Sequence, residues 1–347
     1  MIADVPSRLL LDGDALVANW RWLAAKSGQA RCGAAIKADG YGLGAIEVCR
    51  RLAAAGCRDF FVATWAEALA LGRMPQGTTL SVLHGVRGGD LAHARAGLAR
   101  PILNTPAQVV RWKEAGGGPC DVMVDTGMNR LGLSPQEAAS GLLDGLMVET
   151  LMSHLACADE PAHALNRRQL QAFSALRQTV PANAYSLANS AGICLGADYA
   201  FDLTRPGLSI YGGVQVPDME GRIRQVARPE VELLQVREIS AGDSVGYNAT
   251  FTAERSMRVG VLNLGYADGY LRGFSGQGRA LAGERALPVL GRVSMDLTVI
   301  DLAAAPDLRE GDHVTIDFDL PRASHQSGLS QYELLTGLGR RYHRVWS

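Results

Sequence analysis

The most constraining feature of this chain is an alternation of short apolar runs with polar or helix-period segments, which repeats through its first two-thirds. The apolar runs cover residues 31–36, 60–63, 80–83, 101–103, 121–124, 147–153, 184–186 and 201–203. Helix signals lie between them, such as the amphipathic stretch 45–55 and possible helix caps at Thr64, Thr105 and Ser134. This pattern predicts an α/β fold, a (β/α)8 TIM-type barrel rather than an open sheet.

After residue 225 the sequence changes to β-branched alternation, as in 230–236, with glycines at 242, 260, 283, 291 and 311 that predict turns. We therefore predict two domains, a barrel over residues 1–225 and a mostly β domain over 226–347. A chain of 347 residues is long enough for both.

Charge and composition narrow the functional classes. Lys and Arg number 34 against 35 Asp and Glu, so the chain lacks the excess cationic charge of a nucleic-acid-binding protein. No apolar stretch approaches bilayer length, and residues 1–7 do not resemble a secretion signal. The six cysteines are dispersed, which predicts reduced thiols and no metal site. These features favour a cytoplasmic protein that acts on a small molecule.

Lys37 is the first candidate for chemistry, because it directly follows the first predicted strand and precedes the glycine-rich segment 38–44. A partly desolvated lysine at a strand end can form a Schiff base with an aldehyde. A solvated lysine in a flexible turn is the alternative, and one residue does not decide between them.

Polar residues follow four more strands of the predicted barrel: Arg130 after the fifth, His154 after the sixth, Asn189 and Ser190 after the seventh, and Arg205 after the eighth. Taken singly, His154 is typical of a structural histidine, Arg205 of a surface ion-pair partner and Ser190 of a helix cap. In a barrel, however, all of these positions meet at one rim, and this favours a common site.

Several motifs, in order along the chain, resemble the alanine racemase family over nearly the whole length. They are KADGYGLGA at 37–45, DTGMNRLG at 125–132, SHLA at 153–156, ANSA at 188–191, RPG at 205–207, VGYNAT at 245–250, GYADG at 265–269 and GRVSMD at 291–296.

The resemblance implies that Lys37 carries pyridoxal 5'-phosphate as a Schiff base. Tyr41, Ser190, Gly207 and Leu208 would surround the phosphate, with His154 and Asn189 as further cofactor-binding residues. Arg205 would face the pyridine nitrogen.

The resemblance also implies a racemase that interconverts L- and D-alanine by a two-base mechanism and supplies D-alanine for bacterial peptidoglycan. Lys37 would be the base for D-alanine and Tyr247 the base for L-alanine. Tyr247 would come from the second domain of a partner subunit, so the enzyme would be a homodimer with shared sites. Arg130 and the partner's Met295 would bind the substrate carboxylate.

Two positions depart from the family pattern. Met123 stands where many relatives carry a modified lysine that orients the arginine, and Gly339 stands where many carry a phosphate-contacting tyrosine. Three alternatives stay open: a broad-specificity or serine racemase, a barrel-type decarboxylase, and a non-catalytic cofactor carrier. A decarboxylase would present an acidic residue where this chain has Arg205, and a carrier would not need Tyr247.

Overall fold

The computed structural model describes residues 5–347, which divide into two compact units. Leu16–Arg224 form the barrel unit, and residues 5–15 with Gln225–Ser347 form the β unit. Residues 1–4 lie outside the described residues. They belong to the predicted first domain and to the segment 1–7, which we expect not to be a secretion signal. The domain boundary at 225 stays a prediction.

The strands are β1 (Ser7–Leu11), β2 (Arg31–Cys32), β3 (Ala34–Ala35), β4 (Asp59–Val62), β5 (Thr79–Val82), β6 (Arg100–Leu103), β7 (Cys120–Met123), β8 (Val148–Met152), β9 (Ala184–Ser186), β10 (Leu203–Thr204), β11 (Ala227–Ile239), β12 (Ser244–Val245), β13 (Phe251–Thr252), β14 (Met257–Leu262), β15 (Arg279–Ala282), β16 (Arg285–Leu290), β17 (Thr298–Asp301), β18 (His313–Ile316) and β19 (His343–Trp346). The helical segments are α1 (Gly13–Lys26), α2 (Lys37–Tyr41), α3 (Ala45–Ala55), α4 (Trp65–Leu71), α5 (Leu91–Arg95), α6 (Pro106–Glu114), α7 (Pro135–Ala138), α8 (Ala164–Thr179), α9 (Leu320–Ser327) and α10 (Gln331–Thr336).

The barrel unit contains the predicted parallel barrel. Strands β3 to β9 pair in chain order, and β10 pairs with β2. The Asp202 N–H donates to the Tyr185 carbonyl (3.0 Å) and the Arg205 N–H to the Ala188 carbonyl (2.9 Å). These two bonds join the chain around β9 to the chain around β10. Gly33 separates β2 from β3, and a side chain there would meet the Asp59 carbonyl at 2.7 Å. The (β/α)8 barrel prediction is confirmed.

Helix caps that the sequence predicted also form. The hydroxyls of Thr64, Thr105 and Ser134 each accept a hydrogen bond from the backbone N–H three residues on. The amphipathic stretch 45–55 is helix α3, as predicted. Because all strands of the barrel run in parallel, the segments that follow them collect at one rim.

The β unit is built around the long strand β11. A register shift between Leu233 and Gln235 lets this strand pair first with β1 and β18 and then with β14. Strands β14, β17, β16, β15 and β18 return to β11 through antiparallel pairs, which closes the sheet. The N-terminal strand β1 also pairs with β19. The mostly β character of this region is confirmed.

One predicted glycine turn is wrong. Gly260 lies inside strand β14. A side chain there would meet Leu233 at 2.5 Å and Leu302 at 3.2 Å, so glycine is required by close packing. Glycines 242, 283, 291 and 311 have positive φ in turns, as predicted.

Within residues 5–347, none of the helices combines the length and apolarity that crossing a membrane demands. The same residues include no group of three or more His, Cys, Asp or Glu side chains that could hold a metal ion. The six cysteines are free thiols.

Candidate active site

Lys37 lies at the rim of the barrel, two residues after the end of strand β3. The residue before it, Ile36, is fixed by a hydrogen bond from its N–H to the Phe61 carbonyl (2.8 Å). Its amine forms no hydrogen bond or ion pair with any residue in the described part of the chain. Burial lowers the pKa of Lys37, and the nearby charge of Arg130 lowers it further, whereas the Glu67 carboxylate acts in the opposite direction. A larger fraction of the amine is therefore neutral, which is the nucleophilic form.

The segment after Lys37 is a left-handed turn. Ala38, Asp39, Gly40 and Tyr41 have φ of 53°, 52°, 63° and 54°. The left-handed conformation costs an L-residue roughly 1–2 kcal/mol, so three non-glycine residues store several kcal/mol. Such strain persists only where surrounding contacts hold it, and it is typical of functional sites.

A cavity of about 400 Å³ lies at this rim. Three of the candidate residues, Lys37, Arg130 and His154, line it together with Met123 and Ser153. Its volume is within the range of small-molecule sites. The Arg130 guanidinium makes no hydrogen bond or ion pair with a residue between 5 and 347, so this cation is available to an anionic ligand.

Asp125 organises the segment that carries Arg130, a role that the sequence analysis missed. One carboxylate oxygen accepts the N–H groups of Gly127 (2.8 Å) and Met128 (2.9 Å), and the other accepts the N–H of Arg130 (2.8 Å). Burial acts to raise the pKa of Asp125, but these backbone bonds outweigh it and lower the pKa. An aspartate followed by glycine at the second position was the available signal. Met123 lines the cavity and offers no charge to the Arg130 guanidinium, and the segment of Arg130 is held through its backbone by Asp125.

Arg205 is buried beneath the rim, and it is not a surface ion-pair partner. Its guanidinium donates to the Ser153 carbonyl (2.5 Å) and to the Ser186 hydroxyl. Burial lowers the pKa of Arg205 to about 10, which leaves it charged at neutral pH. The pKa of His154 is lowered to about 3, first by burial and then by the positive charges of Arg205, Arg130 and Lys37. His154 is therefore neutral.

Ser190 and Gly207 form a small polar cup. The Ser190 hydroxyl accepts the N–H groups of Gly207 (2.9 Å) and Ser209 (3.4 Å). The Tyr41 hydroxyl lies so close to Gly207 that a β-carbon there would be 2.2 Å away. The Tyr41 ring stacks on Tyr211, with centroids 4.6 Å apart.

Two further predicted residues flank this cup. Leu208 is buried and begins a short 3-10 helix. The Asn189 side chain accepts the N–H of Gly192 (2.9 Å), which orders the segment that carries Ser190.

Tyr247 and Met295 belong to the β unit, and both are exposed, by 64% and 51%. Tyr247 lies on a turn between β12 and β13 in which Gly246, Asn248 and Ala249 have positive φ. A β-carbon on Gly246 would contact the backbone of Arg292 at 3.5 Å, so this turn lies beside the segment that leads to Met295.

Backbone strain gathers at the predicted catalytic segments. Among residues 5–347, seven non-glycine residues have positive φ. Six of them lie within four residues of Lys37, Arg130 or Tyr247: Ala38, Asp39, Tyr41, Asn129, Asn248 and Ala249.

Gly339 packs tightly, since a β-carbon there would lie 2.9 Å from the Ala267 carbonyl. A tyrosine does not fit at this position without movement of the backbone beside it.

The fold and the rim define a class, that of barrel proteins with a desolvated lysine, a polar cup and a buried guanidinium at one site. Comparison with known proteins gives the family. Residues 11–215 match the model of the alanine racemase N-terminal domain, and residues 226–346 match the alanine racemase C-terminal domain.

Full-length relatives agree with this match. The chain is 42% identical to the alanine racemase of Methylobacterium nodulans, with 97% of this chain and 95% of the relative covered. It is 41% identical to that of Acidiphilium cryptum, with 97% and 98% covered. A crystal structure of alanine racemase from Bartonella henselae with covalently bound pyridoxal phosphate superposes with a TM-score of 0.92 at 33% identity, over 99% of this chain and 100% of that one. The chain belongs to the alanine racemase family.

Proposed function

We propose that the chain interconverts L- and D-alanine with pyridoxal 5'-phosphate held at Lys37, and that Lys37 and Tyr247 are its two acid/base groups. The observation that carries this proposal is the desolvated Lys37 amine in a cavity that it shares with the Arg130 guanidinium, neither of which has a hydrogen-bond or ion-pair partner for its charged group within residues 5–347. Family membership supplies the reaction and the cofactor.

The residues of the rim fit the cofactor. The Ser190 hydroxyl accepts the Gly207 and Ser209 N–H groups and keeps its own hydrogen to donate to a phosphate, and the absence of a side chain at Gly207 lets the Tyr41 phenol approach beside it. Leu208 and Asn189 hold the backbone on either side. Lys37 supplies the amine for the aldehyde carbon.

Arg205 suits the pyridine nitrogen. Two of its five N–H donors bind Ser153 and Ser186, and within residues 5–347 the other three bond to no residue, so they can face a ligand. A guanidinium keeps its proton at neutral pH, so it does not protonate the ring nitrogen. When bound, pyridoxal phosphate withdraws electron density from the alanine α-carbon and makes its hydrogen acidic. Arg205 moderates this withdrawal, which favours return of the proton to carbon.

Racemisation needs one group on each face of the substrate. We assign the Lys37 amine to the hydrogen of D-alanine and the Tyr247 phenol to that of L-alanine. A phenol ordinarily has a pKa near 10, so it needs a nearby cation to act as a base. Arg205 acting through the neutral ring of His154 is the arrangement we propose. Arg130 and the Met295 backbone hold the substrate carboxylate.

Tyr247 and Met295 fit a site that two subunits share. Both are exposed side chains on neighbouring segments of the β unit, and Leu297, also exposed, follows them. Exposed apolar side chains that cluster mark protein interfaces. We propose a homodimer in which residues 226–347 of one protomer complete the site in the barrel domain, residues 1–225, of its partner. We also propose that the enzyme is cytoplasmic and supplies D-alanine for peptidoglycan.

The test is to incubate the purified protein with L-alanine, L-serine and a panel of other L-amino acids, with and without added pyridoxal phosphate. Optical rotation and released carbon dioxide are followed. We expect L-alanine to lose rotation fastest, in a cofactor-dependent manner. Release of carbon dioxide without racemisation, or no reaction at all, would contradict the proposal. Lys37→Ala should abolish both the absorbance of the lysine-bound cofactor and turnover.

A further inference from the structure

The Glu67 carboxylate binds two separate segments of the barrel rim. One oxygen accepts the N–H groups of Ala63 (2.6 Å) and Thr64 (3.2 Å) at the start of helix α4. The other accepts the N–H of Ala38 (2.8 Å), the residue next to Lys37. A helix cap needs only the first set of bonds, so the bond to Ala38 requires a separate reason.

The left-handed turn supplies that reason. Inside the turn, the Gly40 N–H bonds to Ile36 (2.9 Å) and the Gly42 N–H bonds to Ala38 (2.8 Å). The Ala38 N–H has its acceptor in Glu67. Since Ala38 disfavours positive φ, loss of this acceptor would let the turn relax towards ordinary conformations and would redirect the Lys37 side chain.

The charge of Glu67 also reaches the amine. Burial and Arg130 lower the pKa of Lys37, and Glu67 is the group that opposes them. Removal of the carboxylate should therefore lower the pKa of the amine further.

We propose that Glu67 is a positioning residue that holds the left-handed turn and thereby directs the Lys37 amine into the cavity. This proposal rests on the function proposed above, because the purpose of the amine is to bind the cofactor.

The chain offers a matched control in Glu137. Its carboxylate caps helix α7 through the Ser134 N–H (2.8 Å) and hydroxyl (3.0 Å), and in the described part of the chain it has no bond to a second segment. Glutamine supports this type of cap, so Glu67→Gln and Glu137→Gln both keep a helix cap. In Glu67→Gln, one acceptor oxygen becomes an amide NH2. With the remaining oxygen kept on the helix cap, the Ala38 N–H loses its acceptor.

The experiment measures attachment of pyridoxal phosphate to the cofactor-free protein at a series of pH values. Absorbance follows the rate, and borohydride reduction with peptide mass spectrometry locates the modified lysine. For Glu67→Gln we expect the plateau rate at Lys37 to fall about tenfold, the factor for one hydrogen bond to a charged group. The midpoint of the pH profile should move to lower pH.

The controls separate positioning from stability. Glu137→Gln should keep the wild-type rate and midpoint, and Glu67→Asp, which retains the charge, should restore the midpoint. A wild-type rate and midpoint in Glu67→Gln, or equal changes in Glu137→Gln, would overturn the proposal. If the wild-type protein itself is not modified at Lys37, the proposed function has failed instead.

Discussion

Gly207→Ala offers a stringent test of the polar cup, because a single methyl group added at this position would clash with the Tyr41 side chain. The new carbon would lie 2.2 Å from the Tyr41 hydroxyl and 3.0 Å from the ring carbon that bears it. Tyr41 cannot move freely, because it stacks on Tyr211, whose hydroxyl is bonded to the Ala35 carbonyl (2.8 Å). Overpacking of this kind costs about 1–3 kcal/mol.

A double-mutant cycle isolates the contact. Tyr41→Phe removes the atom 2.2 Å away, and the next distances are 3.0 Å and 3.5 Å. We expect Gly207→Ala/Tyr41→Phe to be less destabilised than the sum of the single variants by at least about 1 kcal/mol. Any backbone cost of the alanine is present in both backgrounds and cancels.

The assay is urea unfolding of the cofactor-free protein, followed by titration with pyridoxal phosphate. Gly207→Ala should also weaken cofactor binding, by about tenfold for each 1.4 kcal/mol of distortion in the cup. Gly118→Ala is the control, since a β-carbon there meets nothing within 4 Å. Additive effects in the cycle would refute the packing of Tyr41 against Gly207.

Three further predictions concern the other parts of the site. His154 is neutral in the folded protein, with a pKa of about 3 against an ordinary 6.5. Its contribution to the free energy of unfolding is therefore present above pH 6.5 and is lost as the pH falls. In urea unfolding, the wild type should lose about 2 kcal/mol between pH 6.5 and 5 relative to His154→Gln. Asp125→Asn removes an acceptor from the segment of Arg130, and steady-state kinetics should show KM for alanine raised about tenfold with a smaller change in kcat. Ser190→Ala leaves the buried N–H of Gly207 without its acceptor, which should cost about 1–3 kcal/mol of apoprotein stability and weaken cofactor binding measured by absorbance titration. Unchanged values in these assays would contradict the corresponding roles.

The barrel was predictable because its signals are local. Apolar runs, caps such as Ser134 and strand-end polar residues each depend on a few neighbouring positions, and parallel strand direction then brings the ends together. The pairing of Ser7–Leu11 with strand β11 was not predictable, since it joins residues more than two hundred positions apart.

The sequence indicates candidate residues of the site, but it does not indicate the contacts that hold them. The sequence indicates a helix start at Thr64, but the bond between the Glu67 carboxylate and the Ala38 N–H depends on the tertiary structure. Left-handed backbone at Ala38 and Tyr41 runs against the preference of both residue types, so no local rule indicates it. Gly260 shows the converse, because a glycine needed for packing has the same sequence signal as one needed for a turn.

The assignment of Lys37 and Tyr247 to opposite faces is tested most directly by Tyr247→Phe in deuterium oxide. With the cofactor bound, each alanine enantiomer is incubated separately, and the α-deuterium content and the configuration are measured. We expect that D-alanine exchanges its α-hydrogen through Lys37 and keeps its configuration, while L-alanine neither exchanges nor inverts. Inversion of L-alanine at the wild-type rate would contradict it.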